Sequence, residues 1–301
     1  MYKNLVLVVG LCGESVFMKV DHFHQDGETI VIDEIHKEPG GKGYNQAITV
    51  KSLGVDTAFI GAIGDDSSGI ICSDYLDDKG LINSLIVKEN NFSAYATIMV
   101  DKTGNYHVSV YPGASTLLSV EDIENCEELF TKSKYILLQF EVSSEVLKKC
   151  IELANKHDVK IIVNPAPHKE SCKHLINQAY VITPNFHEAK QLFNLGNISV
   201  EDLASKLCML GVNNIVVTLG KDGALVSENN IPTYIPPLII DQSVVIDTTG
   251  AGDVFNGALV VGLYKNMSLQ EASKFAMKAS SYSIKKPYVM SSIPTVGDID
   301  E

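Results

Sequence analysis

Apolar residues fall along this chain in two patterns. From residue 135 onward, unbroken runs of Val, Ile and Leu alternate with stretches whose apolar positions recur every three or four residues. The runs occupy 135–141, 160–167, 180–185, 214–220 and 223–228. The periodic stretches occupy 143–157, a short segment before 180, two segments reaching Leu210, then 250–265 and 268–284. A strand apolar at every position is covered on both faces. The alternation therefore predicts an α/β three-layer sandwich, with a mostly parallel central sheet between helices and ligands at the C-terminal ends of its strands. The run 5–11 reads as the first strand; it is too short to cross a bilayer, and Cys12 follows it where a secretory signal would carry a small residue.

The first third is patterned differently. Residues 15–23 and 28–38 read as short strands joined through Asp26-Gly27, and 94–101 and 105–111 as a second pair around Lys102-Thr103-Gly104. These four strands do not fit a parallel sheet. They predict a small β-sheet lid, spanning about 14–38 and 93–112, that hinges at Gly40-Gly41 and Gly113. No internal repeat or Pro/Ser-rich linker divides the chain, so 1–301 is expected to form one domain.

The balance of 24 Lys and Arg against 37 Asp and Glu gives a formal charge of −13, which argues against nucleic acid or an anionic membrane as the main partner. A nucleotide remains compatible, because backbone amides at a helix N-terminus, one lysine and Mg²⁺ can hold phosphates in an acidic protein. The cysteines (Cys12, Cys72, Cys126, Cys150, Cys172, Cys208) lie far apart with no metal-ligand spacing, which points to a reducing cytoplasm. His22, His24, His107, His168 and His187 are likewise spaced for no metal site.

Two glycine-rich segments carry candidate chemistry. In Asp247-Thr248-Thr249-Gly250-Ala251-Gly252-Asp253, the small residues let successive amides point at one anion where a helix begins, and Asp253 lies beside that anion hole. A carboxylate there can take the proton of an attacking hydroxyl in phosphoryl transfer; on spacing alone it reads equally as an acidic residue stabilising a helix start. In Pro39-Gly40-Gly41-Lys42-Gly43-Tyr44-Asn45-Gln46-Ala47, Gly43 follows the lysine where a Walker A loop needs Ser or Thr, and the segment after the first strand lacks the G-x-G-x-x-G spacing.

These two segments resemble the signatures of the ribokinase-like (PfkB) carbohydrate kinases. Asn164-Pro165-Ala166-Pro167, Thr183-Pro184-Asn185-Phe186-His187-Glu188 and Thr218-Leu219-Gly220-Lys221-Asp222-Gly223 lie between them in the order found in ribokinases. The resemblance implies an ATP-dependent sugar kinase, cytoplasmic, working with Mg²⁺ and forming a homodimer through the β lid. It implies Asp253 as catalytic base, the amides of Gly250, Ala251 and Gly252 as anion hole, and Gly41, Lys42, Asn45 and Glu141 as sugar contacts. It further implies Asn185 and Glu188 as organisers of Mg²⁺ and phosphates, and Thr218, Gly220 and Gly223 as nucleotide contacts. Asp247, Thr249 and the segment around Ser292 resemble a loop for a monovalent cation (K⁺).

By position alone, Glu141 also reads as a helix cap, Asn185 and Glu188 as a capping pair, and Lys42 as a solvated lysine. The sequence departs from the family where ribokinases carry an Asn and an Asp that grip the sugar: Gly13 and Ser15 stand there, with Glu14 a candidate replacement carboxylate. Tyr288 stands near a family glycine in the cation loop. A nucleoside kinase of the same family would need an aromatic base pocket, for which Phe17, Phe23, Tyr95, Tyr106 and Tyr111 are available. A non-catalytic sugar- or nucleotide-binding regulator is the other class, one that would tolerate loss of the base.

Overall fold

The computed structural model describes residues 3–103, 105–207 and 211–300; Gly104 of the expected turn, Cys208, Leu210 and the side chain of Tyr106 lie outside it. Strand β1 (Leu5–Val9) is buried at every position, as its unbroken apolar run requires. The chain leaves it into β2 (Gly13–Val20) and β3 (Ile32–Gly40), then enters helix α1 (Lys42–Ser52). Strand β4 (Thr57–Gly64), helix α2 (Ser67–Asp78) and strand β5 (Ile82–Lys88) follow. The sequence reading did not pick out these three, although β4 is as buried as β1.

After β6 (Ala94–Val100) and β7 (Tyr106–Tyr111) come the short helices α3 (Val120–Asn125) and α4 (Glu127–Lys132), then β8 (Ser133–Gln139), α5 (Ser144–Lys156) and β9 (Lys160–Asn164). A 3₁₀ turn leads to β10 (Val181–Ile182), α6 (Phe186–Leu192), α7 (Val200–Lys206) and β11 (Ile215–Thr218). The hairpin of β12 (Ala224–Glu228) and β13 (Ile231–Ile235) precedes α8 (Ala251–Tyr264), α9 (Leu269–Ser283) and α10 (Val296–Asp300).

These elements make two sheets. The larger runs β13-β12-β11-β10-β9-β8-β1-β4-β5 and is parallel except at β12 and β13, which turn back through the left-handed Asn229 and Asn230. Alternate residues of β1 feed opposite cores: Val6 and Val8 pack with α1, α2, α8 and α9, while Leu7 and Val9 pack with the face of α3 to α7. Strand order reverses between β1 and β8. That switch point is where a doubly wound sheet opens a crevice beyond its strand C-termini. The smaller sheet, β3-β2-β6-β7, collects the four strands expected to stand apart, with β2 and β6 pairing the two hairpins in parallel.

Strand limits differ from expectation. Strand β2 ends at Val20 instead of residue 23, and β3 begins at Ile32 instead of residue 28, leaving 28–31 outside the sheet, because β3 has no partner beyond Val20. The glycines read as hinges are closely packed turns: a Cβ on Gly41 (φ 119°) would lie 2.3 Å from the Leu11 carbonyl oxygen, and one on Gly113 (φ 50°) 2.5 Å from that of Phe92.

Helices α1 and α8 pack side by side in the same direction, and a missing side chain lets them do so. A Cβ on Gly257 would come 2.6 Å from the Thr49 Cβ and 2.9 Å from the Gln46 carbonyl oxygen. Gly257→Ala must push the two helices apart. It should lower the free energy of unfolding in urea by about 1–3 kcal/mol, and turnover should fall with it because the helix ends carry the site described next.

Candidate active site

The parallel packing of α1 and α8 brings two helix N-termini to the same crevice, each opened by a glycine in a left-handed conformation, Gly41 (φ 119°) and Gly250 (φ 75°). A Cβ on Gly250 would meet the Val289 side chain at 2.7 Å, so the turn needs glycine. Ala251 N–H closes a turn onto the Thr248 carbonyl, and the first helical bond of α8 runs from Val254 N–H to the Gly250 carbonyl. The amides of Gly252 and Asp253 precede that bond and point out of the helix end, where both positive dipole ends meet. Of the three amides expected as an anion hole, that of Ala251 is engaged in this turn.

Asp253 is 7% exposed, and its carboxylate is met by α1. Asn45 Nδ2 donates to its Oδ2 at 2.9 Å and Gln46 Nε2 to its Oδ1 at 2.9 Å. Burial raises its pKa, opposed by the Lys42 charge and by these two donors. Behind it lies a strip of buried amides and hydroxyls. Gln46 also donates to Asn164 Oδ1 (3.1 Å) and accepts from Gln139 Nε2 (2.7 Å). Asn164 Nδ2 donates to the Thr183 carbonyl (3.0 Å), the Thr183 hydroxyl donates to Asn256 Oδ1, and Asn256 Nδ2 donates to the Gly252 carbonyl (2.8 Å). Gln46, Gln139, Thr183 and Asn256 were absent from the sequence-derived site. The available signal was a polar residue ending an apolar strand run at 139, 164 and 183, because such a group must be hydrogen-bonded once buried.

A small cleft opens at Glu141, lined also by Gly13, Ser15, Gly40, Gly41 and Tyr95. Glu141 does not cap α5, a task performed by the Ser143 side chain. Instead its Oε2 accepts from Gly43 N–H at 3.3 Å, at the start of α1. Burial pushes its pKa up to about 7, with Lys42 opposing and the Asp253 charge reinforcing. Glu14, the candidate replacement carboxylate, also lines this cleft. It lies on the opposite pleat from Ser15, 3.6 Å from Lys37 Nζ and 3.3 Å from the Ser68 hydroxyl. No side chain would fit at 13, since a Cβ there would lie 2.0 Å from the Ala94 carbonyl oxygen.

On the other side of Lys42 lies a second cleft, bounded by Asn185, Glu188, Thr218, Gly250, Gly252 and Asp253. Asn185 and Glu188 form the reciprocal capping box of α6, at 2.8 Å each way. Thr218 bridges to Asn185 at the end of β11. Around Gly220 (φ 60°) a side chain would meet open space, whereas Gly223 (φ 88°) is a turn glycine pressed against the Ile235 carbonyl oxygen. Lys42 is half-buried, and its charge acts on Asp253, Glu141 and Glu188 together.

Residues 3–296 match the model of the pfkB family carbohydrate kinases. The chain belongs to that family. It is 31% identical to the ribokinase of Staphylococcus aureus (strain COL) over 99% of both chains. It is 32% identical to the ribokinase of Thermotoga maritima, whose crystal structure superimposes with a TM-score of 0.88 over 99% of this chain and 98% of that one. The ribokinase of Arabidopsis thaliana, solved with ribose and ATP, shares the fold at 24% identity, with a TM-score of 0.87 over 99% of this chain and 98% of the other. As a carbohydrate kinase the protein is an ATP-dependent phosphotransferase with an alcohol group as acceptor and Mg²⁺ as the ion of the nucleotide.

The residues of this kinase fit both groups. Burial raises the pKa of Glu188, so its carboxylate gains from a nearby cation, and carboxylate oxygen is a hard donor of the kind Mg²⁺ takes. Among the described residues no three His, Cys, Asp or Glu side chains cluster as a metal cage. Asp247, Thr249 and Ser292 border one loop. Asp247 accepts from Thr249 N–H (2.8 Å) and Tyr288 N–H (3.0 Å), and the Ser292 hydroxyl donates to the Val289 carbonyl (2.8 Å). Tyr288 adopts the left-handed conformation there, at φ 63°, in place of glycine. Of the aromatic residues considered for a base pocket, Tyr95 borders the cleft; Phe17 packs on Tyr288, Phe23 stacks on His107, and Tyr111 is exposed.

Glu141 supplies a pH test. Its carboxylate is raised to about 7, so it is ionised above that pH and takes a proton below it. If it accepts from the sugar, as the motif resemblance implies, function should be lost as pH falls through 7: kcat/KM for the sugar should drop on the acid side, and Glu141→Gln should remove that limb.

Proposed function

We propose that the protein transfers the γ-phosphoryl group of ATP to the primary hydroxyl of a monosaccharide, D-ribose being the first candidate, with Asp253 as general base. The reading rests on one observation: a buried carboxylate, each oxygen held by an amide donor, at the meeting point of two helix N-termini. Each oxygen keeps a lone pair beyond its hydrogen bond, so Asp253 can take the hydroxyl proton as that oxygen attacks the γ-phosphorus and the bond to ADP breaks. The amides of Gly250 and Gly252, with that of Asp253, and Lys42 absorb the charge that grows on the transferring group. Asn185 and Glu188 would help hold Mg²⁺ on the nucleotide, and the ion would supply further neutralisation of the phosphate oxygens. The nucleotide lies along Thr218, Gly220 and Gly223, with Gly223 shaping the turn. The sugar lies against Gly41, Lys42, Asn45 and Glu141.

The smaller sheet acts as a lid over the sugar, within a single domain of 1–301, and keeps water from the transferring phosphoryl group. Its exposed Ile35, Val108, Val110 and Tyr111 suit a homodimer formed lid to lid. A monovalent cation at Asp247, Thr249 and Ser292 would stabilise the turn that leads into the anion hole. The five cysteines of the described residues are all unpaired, which fits work in a reducing cytoplasm. Among the described residues no helix is long and apolar enough to cross a membrane.

The decisive experiment measures ADP release across pentoses, hexoses, ketoses and nucleosides. Sugar-dependent release with a pentose supports the reading; preference for a nucleoside, or no sugar dependence, overturns it. Asp253→Asn should lower kcat by about 10²–10⁴-fold, the usual contribution of a general base, while sugar binding measured by calorimetry stays near wild type.

A further inference from the structure

Asp253 is approached by two amide side chains that are held very differently. Asn45 donates through Nδ2, and its own Oδ1 is buried without a partner, so nothing on its far side fixes which way the amide faces. Gln46 is fully buried, and every polar atom of its amide is engaged. Its Nε2 serves Asp253 and Asn164, and its Oε1 accepts from Gln139.

A buried amide turned end for end occupies the same space, so its orientation depends on its partners. The chain of partners here ends on a group that cannot turn. The Thr183 carbonyl is backbone; it requires Asn164 to present Nδ2, which leaves Asn164 Oδ1 facing Gln46. Gln46 must then present Nε2 to both Asn164 and Asp253 and offer Oε1 to Gln139. Gln139 meets Gln46 with its Nε2; its own Oε1 is buried without a hydrogen-bond partner and is confined by packing alone, fitting between Gly10 and Gly43, 2.5 and 2.7 Å from where a Cβ on either would lie.

We infer that Gln46, its orientation fixed by Gln139 and Asn164, is the positioning residue that aims the Asp253 carboxylate at the acceptor hydroxyl and holds it as an acceptor. This rests on the reading of Asp253 as the base. Neither glutamine touches the crevice; both act through that carboxylate. The charged groups acting on Asp253 are Lys42 of α1, Glu141 after β8 and Glu188 of α6. Against two carboxylates and one ammonium, the Gln46 donor is a local stabiliser of the ionised base. Removing it should make the base take up a proton at higher pH, and the ring of charges is unchanged by the substitution.

The test is steady-state kinetics of Gln46→Met, Gln139→Met and the double variant, with thermal melting to establish folding. Gln46→Met should lower kcat about 10- to 100-fold, the scale of loss from a misplaced reacting group, with the sugar KM within about threefold of wild type. The acid limb of its kcat–pH profile should move to higher pH. Gln139→Met should show a smaller loss with the same displacement. The double variant should be no worse than Gln46→Met, because Gln139 acts only through Gln46.

An unchanged kcat and pH profile in a folded Gln46→Met protein would overturn the assignment, as would additive losses in the double variant. Should Gln46→Met not fold, Gln139→Met decides alone: a displaced acid limb at constant KM supports the proposal, and a wild-type profile refutes it. Wild-type protein without sugar-dependent ADP release would instead sink the functional reading itself.

Discussion

A carboxylate withdrawn from water must be met by donors, and Asp253 finds its donors on a helix that begins 211 positions earlier in the chain at Lys42. That requirement organises the rest. It needs α1 and α8 to run in the same direction at close range, which Gly257 permits, and it puts both helix N-termini at one end of the pair. The glycines that open the two helices then expose amides to a common crevice. Lys42, at the first position of α1, is carried by the same packing to within reach of three carboxylates.

The sheet contributes from below. Its strands are apolar where they are sandwiched and turn polar at their C-terminal ends, so Gln139, Asn164 and Thr183 form a buried strip under the Asp253 carboxylate. Each of these groups would be costly alone in the core; linked end to end they satisfy one another except at Gln139 Oε1, and the links set their orientations. The net charge of −13 leaves room for an anionic substrate because the crevice is governed locally, by helix ends and one lysine.

The smaller sheet is tied to the same centre through the loop after α9. Glu38 at the end of β3 is 7% exposed, and it accepts the amides of Val289 and Met290. Tyr288, next in line, stacks on His36 at a ring distance of 3.7 Å, bonds Glu34 through its hydroxyl and gives its N–H to Asp247. The smaller sheet and the turn that opens α8 are therefore joined through one loop. Val289 also packs against Gly250, so this loop supports the crevice from behind.

Periodicity was enough to predict the layered α/β body, the detached four-stranded sheet and the two glycine-rich helix starts, because burial on one or two faces writes itself directly into residue spacing. The roles given to Asp253, Lys42 and Glu141 came from motif resemblance and await the kinetics. Spacing could not tell a base from a helix-start residue, or Glu141 from a cap. Those choices depend on which donors stand opposite, and the donors come from Asn45, Gln46 and Gly43, far away in the chain. For the same reason Gln46 and Gln139 could pass for ordinary polar residues. The chain's own pattern determined which segments are buried; only packing in three dimensions decided which polar groups meet, since hydrogen bonds and charge act through space at a few ångströms and leave no periodic trace in the order of residues.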